Sequence, residues 1–270
     1  MAQTITATMI PHIVDTRFLI SRSARSITDQ DGTAILNVES GKFHSLVSAG
    51  SLVWTRLMAC HEGATVKTIV DLLLADGQFV SEPRIQVEQA VERMLNNLVA
   101  LGLLYRADQL LVRCAGSFWT DAALLPLTRL VGGFLLMLRL HEFSAFLYLT
   151  IFYFMIKTAG FSGVYQAVKN WPVARWRSLD DTGIVPLCKA VDRACVWFPK
   201  QAMCLARSVV ATCLLRQSGI STVLVIAAQR NPFIGHAWTE INDIVVNDKQ
   251  KMREEFLVFE RISQNLRVDV

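Results

Sequence analysis

Charged residues are scarce in this chain. Only 19% of its 270 residues are Asp, Glu, Lys or Arg, whereas 52% are hydrophobic. This composition lies far from the low hydrophobicity and high net charge of intrinsically disordered proteins. The length is sufficient for one large domain or two smaller ones with buried cores. The sequence therefore predicts a globular protein and excludes the fibrous and fully disordered classes.

Positive charge is also too sparse to predict nucleic acid binding. The whole chain has a net charge of +4, and residues 1–110 contain nine basic against eleven acidic residues. Affinity for phosphates depends on Lys and Arg side chains that neutralise them. We therefore expect no nucleic acid partner.

Targeting signals and metal-binding motifs are missing as well. The first twenty residues lack a basic flank followed by a continuous apolar core, so we expect no secretion signal and a cytoplasmic protein. The six cysteines form no Cys-x-x-Cys pair, and no His is placed to complete a zinc site. We therefore expect reduced thiols, no metal and no cofactor.

Residues 143–156 form an apolar segment without any charge. As a helix, this segment would rise about 21 Å, short of the roughly 30 Å hydrocarbon layer of a bilayer. A longer helix would bury Arg139 and Glu142, each at a cost of about 2.5–3.5 kcal/mol. We expect a buried helix. Because six of the fourteen residues are aromatic, the alternative is a helix that lies on a membrane surface or against a membrane-bound partner.

The N-terminal part has the pattern of a β-hairpin followed by three amphipathic helices. Residues 33–38 and 42–46 are predicted strands, joined by a turn at Glu39-Ser40-Gly41. Apolar residues at helical spacing follow in residues 51–58, 66–75 and 81–102. This order predicts a small winged-helix domain within residues 1–112.

This part resembles the PqqD-like domains, which have the coenzyme-PQQ-chaperone-like fold. The segments that carry the resemblance are ILNVESGKFHSL, LVWTRL and VERMLNNLVALGLL. Those domains bind the leaders of ribosomally synthesised and post-translationally modified peptides (RiPPs). The resemblance covers about residues 10–106. It implies that a leader pairs as an added strand with the edge of residues 42–46, beside the third helix. The candidate leader-binding residues are Lys42, Phe43, His44, Ser45 and Leu46 on the strand, and Arg84, Glu88, Val91 and Arg93 on the helix.

Residues 113–270 are predicted to form a second domain, with a helical part in 113–198 and a catalytic helix and sheet in 199–270. The segment CLARSVVATCLLRQSG has helical spacing and ends at Gly219. Cys204 lies in the first turn of this helix, where the helix dipole favours a thiolate. Cys213 lies deep in the same helix. For Cys204 taken alone, a buried structural thiol is the alternative.

Alternating residues after this helix predict an antiparallel sheet. The predicted strands are residues 221–228, 235–241, 244–248 and 256–262. His236, Trp238 and Glu240 share one strand face. Asp248 lies opposite Ala237, on the wrong face, if the loop is only Asn242-Asp243. A loop of three or five residues would place Asp248 across from His236.

A thiol at a helix start, with His and Asp on neighbouring strands, is the arrangement of papain-like and transglutaminase-like enzymes. Residues 204–248 resemble the lasso peptide biosynthesis B proteins in five motifs: C-L-x-R-S, L-L-R-x-x-G, L-V-I, P-F-x-x-H-A-W-x-E and V-N-D. These proteins are leader peptidases with a transglutaminase-like fold, and the resemblance implies that Cys204, His236 and Asp248 are catalytic. The chain departs from the family at Gly235, where many members have Ala, and at Asn242-Asp243, where a Gly-containing turn is usual.

Together the two parts predict an α+β protein, a winged-helix leader-recognition domain fused to a papain/transglutaminase-like cysteine peptidase domain. The resemblance implies a peptidase that cleaves a lasso precursor between leader and core and passes the core to an ATP-dependent cyclase. The backbone N–H of Cys204 and the side chain of Gln201 are candidate oxyanion donors, and Trp238 is a candidate cleft residue. The alternatives are a non-catalytic leader-binding scaffold and an acyl transferase of the transglutaminase type.

Overall fold

A computed structural model describes residues 16–79, 81–109, 121–174, 183–200, 204–229 and 233–264. Its elements are mixed helix and sheet, which confirms the α+β fold class. Contacts divide the chain into two compact units. The first comprises Met1–Ala24, Thr28–Thr33 and Leu46–Cys114, and the second comprises Arg25–Ile27, Ala34–Ser45 and Ala115–Val270. The predicted boundary between residues 112 and 113 lies outside the described residues.

The first unit contains the three predicted helices: α1 (Ala49–Ala59), α2 (Val66–Ala75) and α3 (Arg84–Ala100). The side chain of Thr65 caps α2 by accepting a hydrogen bond from the backbone N–H of Thr68. The apolar stripe of α3 is buried, because residues one turn apart face the same side of a helix. The buried residues of this stripe are Val87, Val91, Leu95 and Leu98.

The described residues of the N-terminal half also form five strands, of which the sequence predicted two. β1 (Phe18–Ile20) pairs antiparallel with β5 (Leu104–Arg106). β2 (Ala24–Asp29), β3 (Gly32–Asn37) and β4 (Lys42–Leu46) form a sheet in the order β2-β3-β4, so β4 is an edge strand. β3 and β4 are the predicted hairpin. β1, β2 and β5 are short or polar, which leaves little alternation for a sequence pattern to reveal.

Much of the β3–β4 hairpin belongs to the core of the second unit. Ala34, Leu36 and Val38 are buried in one cluster with residues of the helices and sheet that follow. The ring of Phe161 lies over Gly41 at the hairpin turn, where φ is +69°. The hairpin therefore contributes apolar side chains to the same core as the predicted catalytic helix.

The helical part of the second unit consists of α4 (Asp121–Met137), α5 (His141–Lys169) and α6 (Ile184–Trp197). α5 is interrupted at Gly160, whose φ of 68° is not helical. Gly132 in α4 lies against the ring of Tyr148, and a Cβ at this position would be 2.2 Å from that ring. The close approach of α4 and α5 therefore requires glycine at residue 132.

The apolar segment 143–156 lies within α5. Its side chains at Tyr148, Leu149 and Phe152 are buried in the core, as expected for a core helix, whereas Phe143 and Phe154 are exposed. By length and composition alone α5 could cross a membrane, but core helices of globular proteins meet the same criterion, and a third of its most apolar stretch is buried here.

The rest of the second unit is a helix packed on a four-stranded antiparallel sheet. α7 (Cys204–Gln217) precedes β6 (Val223–Gln229), β7 (Ile234–Ile241), β8 (Ile244–Val245), the short α8 (Met252–Glu255) and β9 (Leu257–Ile262). The strand order is β8-β7-β6-β9. β8 is shorter than the predicted strand 244–248, which matters for the position of Asp248.

The arginine of the L-L-R-x-x-G motif is structural. Arg216 is fully buried in α7 and donates hydrogen bonds to the carbonyl oxygens of Val168, Thr222 and Ile262, at 2.5, 2.7 and 2.9 Å. These carbonyls belong to α5, the segment before β6, and β9. A guanidinium has five donors and can satisfy several carbonyls at once, so Arg216 joins three elements around α7.

Candidate active site

Cys204 is the first residue of α7, and its thiol lies beside β7. The Sγ atom is 4.0 Å from the carbonyl oxygen of Gly235, and the thiol is hydrogen-bonded to the imidazole of His236. Burial raises the pKa of the Cys204 thiol, but His236 and the backbone N–H groups of Ala237 and Leu205 lower it more. The net pKa is below the ordinary thiol value, so the site favours a thiolate.

Other cysteines of the second unit have the opposite electrostatics. Cys213 is fully buried, and burial raises its pKa to about 12. Burial likewise raises the pKa of Cys188 to about 11. These thiols are structural core groups, whereas the surroundings of Cys204 favour its thiolate.

His236 lies between the thiol and a carboxylate. Its Nε2 atom is 3.0 Å from Oδ2 of Asp248. The hydrogen bond to Cys204 raises the pKa of His236, burial opposes this, and Asp248 raises the pKa further, so the net value is above that of a free imidazole. The ring packs beside Phe256 and Trp238, with centroid distances of 5.2 and 6.1 Å. The structure therefore brings Cys204, His236 and Asp248 together in that order.

Asp248 reaches this position outside the β-ladder. The β7–β8 turn has the two residues Asn242 and Asp243, both with left-handed φ angles of 48° and 64°, as expected for a tight hairpin. The pairing of Glu240 with Val245 gives the register in which Asp248 would lie opposite Ala237. Both predicted registers assumed that the strand continues to Asp248, and that assumption is wrong because β8 ends at Val245.

Side-chain hydrogen bonds replace the ladder after β8. The backbone N–H of Val246 still donates to the carbonyl of Thr239, at 3.0 Å. The Asn247 Oδ1 atom then accepts from the Thr239 N–H at 2.7 Å, and its Nδ2 donates to Ser208 Oγ at 2.9 Å. Ser208 in turn donates to the carbonyl of Ala237 at 2.8 Å. Asn247 thus occupies the position that a paired backbone would have taken.

Arg207 is a site residue to which the sequence reasoning gave no role. Its Nη2 atom donates to the Asn247 carbonyl at 2.9 Å and to Asp248 Oδ2 at 2.7 Å. Arg207 and Ser208 are the R-S of the C-L-x-R-S motif, and Arg207 follows Cys204 by three residues. Residues three apart share a helix face, so this spacing was the available signal.

Comparison with known families supports two separate regions. Residues 149–261 match the transglutaminase-like superfamily, and residues 32–104 match PqqD, the coenzyme PQQ synthesis protein D. The chain thus has a region similar to PqqD, here called the PqqD domain, followed by a region similar to the transglutaminase-like superfamily, here called the transglutaminase-like domain. This is the order predicted from the resemblance to the lasso peptide B proteins, and it fits RiPP leader recognition combined with a cysteine-peptidase-like fold. No curated protein and no solved structure matches the chain.

In the transglutaminase-like domain, Trp238 does not line an open cleft, which corrects the prediction. It is fully buried with Val225, Ala227 and Val245 on the sheet face opposite α7. Its Nε1 donates to Glu240 Oε1 at 2.8 Å. Alternation placed Trp238 on the same face as His236, but that face is covered beyond His236. Trp238 therefore supports the His236 ring from within the core.

Gly235 precedes His236 and stands where many of the lasso B proteins that this chain resembles have Ala. It lies under the ring of Phe43. A Cβ at residue 235 would be 2.8 Å from Phe43 Cε2. Phe43 makes edge contacts with Phe233 and Phe259, at centroid distances of 5.8 and 5.3 Å. All four residues belong to the second unit. The absence of a side chain at residue 235 is explained by this packing of the β4 phenylalanine.

The predicted leader-binding residues have different surroundings. In the PqqD domain, Val91 and Arg93 line a cavity of about 400 Å³ together with Ala49, Val53, Leu73, Phe79, Glu82, Gln86, Val87, Ala90 and Met94. Arg84 and Glu88 pair with each other at 2.8 Å, and Arg84 also pairs with Asp71 at 2.5 Å. On β4, Lys42 and Ser45 are exposed, and Phe43, His44 and Leu46 are half-buried.

Two further predictions concern oxyanion donors and metals. Gln201 lies outside the described residues, so its role stays a prediction. Among the residues that the structure describes, no group of three or more His, Cys, Asp or Glu side chains could hold a metal ion. The groups that the structure brings together at the site are the Cys204 thiol, the His236 imidazole and the Asp248 carboxylate.

Proposed function

We propose that this protein is a cysteine peptidase that binds the leader of a lasso peptide precursor and cleaves between leader and core. The observation that carries the proposal is the chain of contacts from the Cys204 thiol through His236 to Asp248. The PqqD match supports leader recognition, and the motifs of residues 204–248 support the lasso B family in particular. The peptidase activity needs no cofactor.

In the proposed mechanism, the Cys204 thiolate attacks the carbonyl carbon of the leader–core bond. His236 carries the thiol proton, and because its Nε2 faces Asp248, the nitrogen that exchanges protons with the thiol is Nδ1. Nε2–H donates to Asp248, which fixes the tautomer and orients the ring. His236 protonates the departing core amine and leaves a thioester on Cys204.

Hydrolysis then regenerates the enzyme. His236 takes a proton from water as the water oxygen attacks the thioester, and the Cys204 sulfur leaves as the leader carboxylate forms. The backbone N–H of Cys204 is the proposed oxyanion donor, with Gln201 as the predicted second donor. The products are a free leader and a core peptide with a new N-terminal amine.

The cavity of the PqqD domain supports a peptide as ligand. Its walls are largely apolar, and its polar side chains are those of Glu82, Gln86 and Arg93. Such a cavity suits apolar side chains of a peptide whose orientation is fixed by a few polar contacts. Val91 and Arg93 are therefore the favoured leader contacts on α3, whereas Arg84 and Glu88 already pair with each other.

Strand addition at β4 remains the proposed mode of leader binding for Lys42, Phe43, His44, Ser45 and Leu46. An edge strand presents unpaired backbone groups to an added strand. The further partner that we propose is an ATP-dependent lasso cyclase, which would receive the core in the cytoplasm. α5 exposes Phe143 and Phe154, so contact of this helix with a membrane surface stays the alternative to a purely structural role.

The test is mass spectrometry of a lasso precursor peptide after incubation with the full-length protein. We expect two fragments, and none with Cys204→Ala. Cys213→Ala is the matched control and should still cleave, because that thiol is buried in the same helix without a catalytic contact. An unchanged peptide would support the scaffold alternative, and a mass gain in the presence of an added amine would support acyl transfer. Either result would contradict the peptidase proposal.

A further inference from the structure

The β-ladder does not determine where Asp248 lies. Its register would place Asp248 opposite Ala237, yet the carboxylate is 3.0 Å from His236 Nε2. Turn and strand patterns alone do not produce this contact. Another part of the structure must hold residues 247 and 248 away from the ladder.

We propose that Arg207 is a positioning residue that, together with Asn247, holds Asp248 against His236. Arg207 Nη2 contacts both the carbonyl of Asn247 and the carboxylate of Asp248, at 2.9 and 2.7 Å. A single donor group therefore fixes the backbone of one residue and the side chain of the next. The inference rests on the proposed function, because it assigns a role within that site.

The position of Arg207 on α7 gives this contact its significance. Cys204 and Arg207 are one helical turn apart, so the turn that carries the nucleophile also holds the carboxylate. α7 is anchored to β7 by the Ser208 hydrogen bond to the Ala237 carbonyl. The distances from thiol to imidazole and from imidazole to carboxylate are thus set by α7 and β7 together.

The carboxylate of Asp248 accepts hydrogen bonds from three donors. Its Oδ2 faces both Arg207 and His236, and its Oδ1 accepts the backbone N–H of Lys249 at 2.8 Å. Only 29% of the Arg207 side chain and 15% of the Asp248 side chain are exposed, so the ion pair is partly shielded from water. Charge-assisted hydrogen bonds in such places are stronger and shorter than neutral ones.

The planar guanidinium is suited to this role. It presents donors in a fixed fork, whereas a lysine ammonium is a point charge on a flexible stem. Arg207 Nη1 also faces Asp192 of α6 at 3.6 Å, which places a second carboxylate on the other side of the group. A Lys at residue 207 would keep the charge but not these simultaneous contacts.

The first experiment measures the reactivity of Cys204 without any peptide. Full-length wild type, Arg207→Met and Asp248→Asn are alkylated with iodoacetamide across a pH series, and modification at Cys204 is followed by mass spectrometry. We expect both variants to shift the acidic limb of the profile to higher pH, because a less well oriented imidazolium stabilises the thiolate less. Arg193→Met is the matched control, since Arg193 pairs with Glu142 on the surface, and should leave the profile unchanged.

The second experiment measures precursor cleavage. We expect Arg207→Met to lower kcat by about 10- to 100-fold, as misplaced catalytic groups do, with a smaller change in KM. The double variant Arg207→Met/Asp248→Asn should be no slower than Asp248→Asn, because both changes act through one carboxylate. Arg207→Lys should have a kcat between those of Arg207→Met and the wild type. It replaces Arg207→Met in both experiments if the Met variant does not fold.

An unshifted alkylation profile in Arg207→Met, or in Arg207→Lys if the Met variant does not fold, would overturn the proposal. So would a double variant whose losses multiply, since that would show that Arg207 acts independently of Asp248. If no peptide is cleaved by the wild type, the proposed function fails, but the alkylation arm still decides whether Arg207 positions Asp248.

Discussion

At the scale of single residues, the reactivity of Cys204 depends on the balance between burial and its polar neighbours. Burial alone would raise the thiol pKa, as it does at Cys213, which lies in the same helix. At Cys204, His236 and two backbone N–H groups outweigh burial. The same contact raises the pKa of His236. Both shifts favour the thiolate–imidazolium pair over the neutral thiol and imidazole.

A bell-shaped pH dependence of kcat/KM for precursor cleavage follows from this pair. Cleavage should increase as pH rises through the lowered Cys204 pKa, because the thiolate forms, and decrease through the raised His236 pKa, because the general acid is lost. His236→Ala should abolish cleavage and move alkylation of Cys204 to higher pH, since burial then dominates. If Cys204 of the His236→Ala variant were alkylated with the wild-type pH profile, the pairing of Cys204 with His236 would be contradicted.

At the scale of elements, the contact between β4 and β7 limits what residue 235 can be. The Phe43 ring covers Gly235, and the carbonyl oxygen of Gly235 is 4.0 Å from the Cys204 thiol. Many of the lasso B proteins that this chain resembles have alanine at this position. The packing of Phe43 explains the glycine here, because its ring occupies the space that a Cβ at residue 235 would need.

Gly235→Ala should therefore lower the stability and slow cleavage. The added methyl would meet the Phe43 ring at 2.8 Å, and overpacking of this kind costs about 1–3 kcal/mol. Thermal unfolding and precursor cleavage measure the two effects. The double variant Phe43→Ala/Gly235→Ala provides the control, because removal of the ring should relieve the clash and restore part of the cleavage rate. An active Gly235→Ala variant with wild-type stability would show that the contact does not constrain the site.

At the scale of the whole molecule, the hairpin does not belong to one unit alone. The family match places residues 32–104 in one PqqD domain, but the contacts of residues 34–45 group with the second unit. Ala34, Leu36 and Val38 are buried in its core. A sequence pattern can locate the hairpin, but it does not show which partner covers each face.

A fragment of residues 1–112 should accordingly be less soluble and less stable than the full chain. It would expose Ala34, Leu36 and Val38, which the full chain buries, and such an apolar face promotes association. Size-exclusion chromatography and binding of a hydrophobic dye should reveal this exposure. Leader affinity should therefore be measured with the full-length Cys204→Ala variant. A monomeric fragment with the affinity of that variant would show that the hairpin folds without the second unit.

The sequence by itself determined the parts of this protein that local chemistry controls. The start of a helix at Cys204 and the alternation that puts His236 and Trp238 on one strand face each depend on neighbouring residues alone. The tertiary structure decided where Asp248, Trp238 and the hairpin face lie. Arg207 and Asn247 draw Asp248 out of its register, and long-range packing buries Trp238 and Leu36, because burial and side-chain hydrogen bonds depend on residues far apart in the chain.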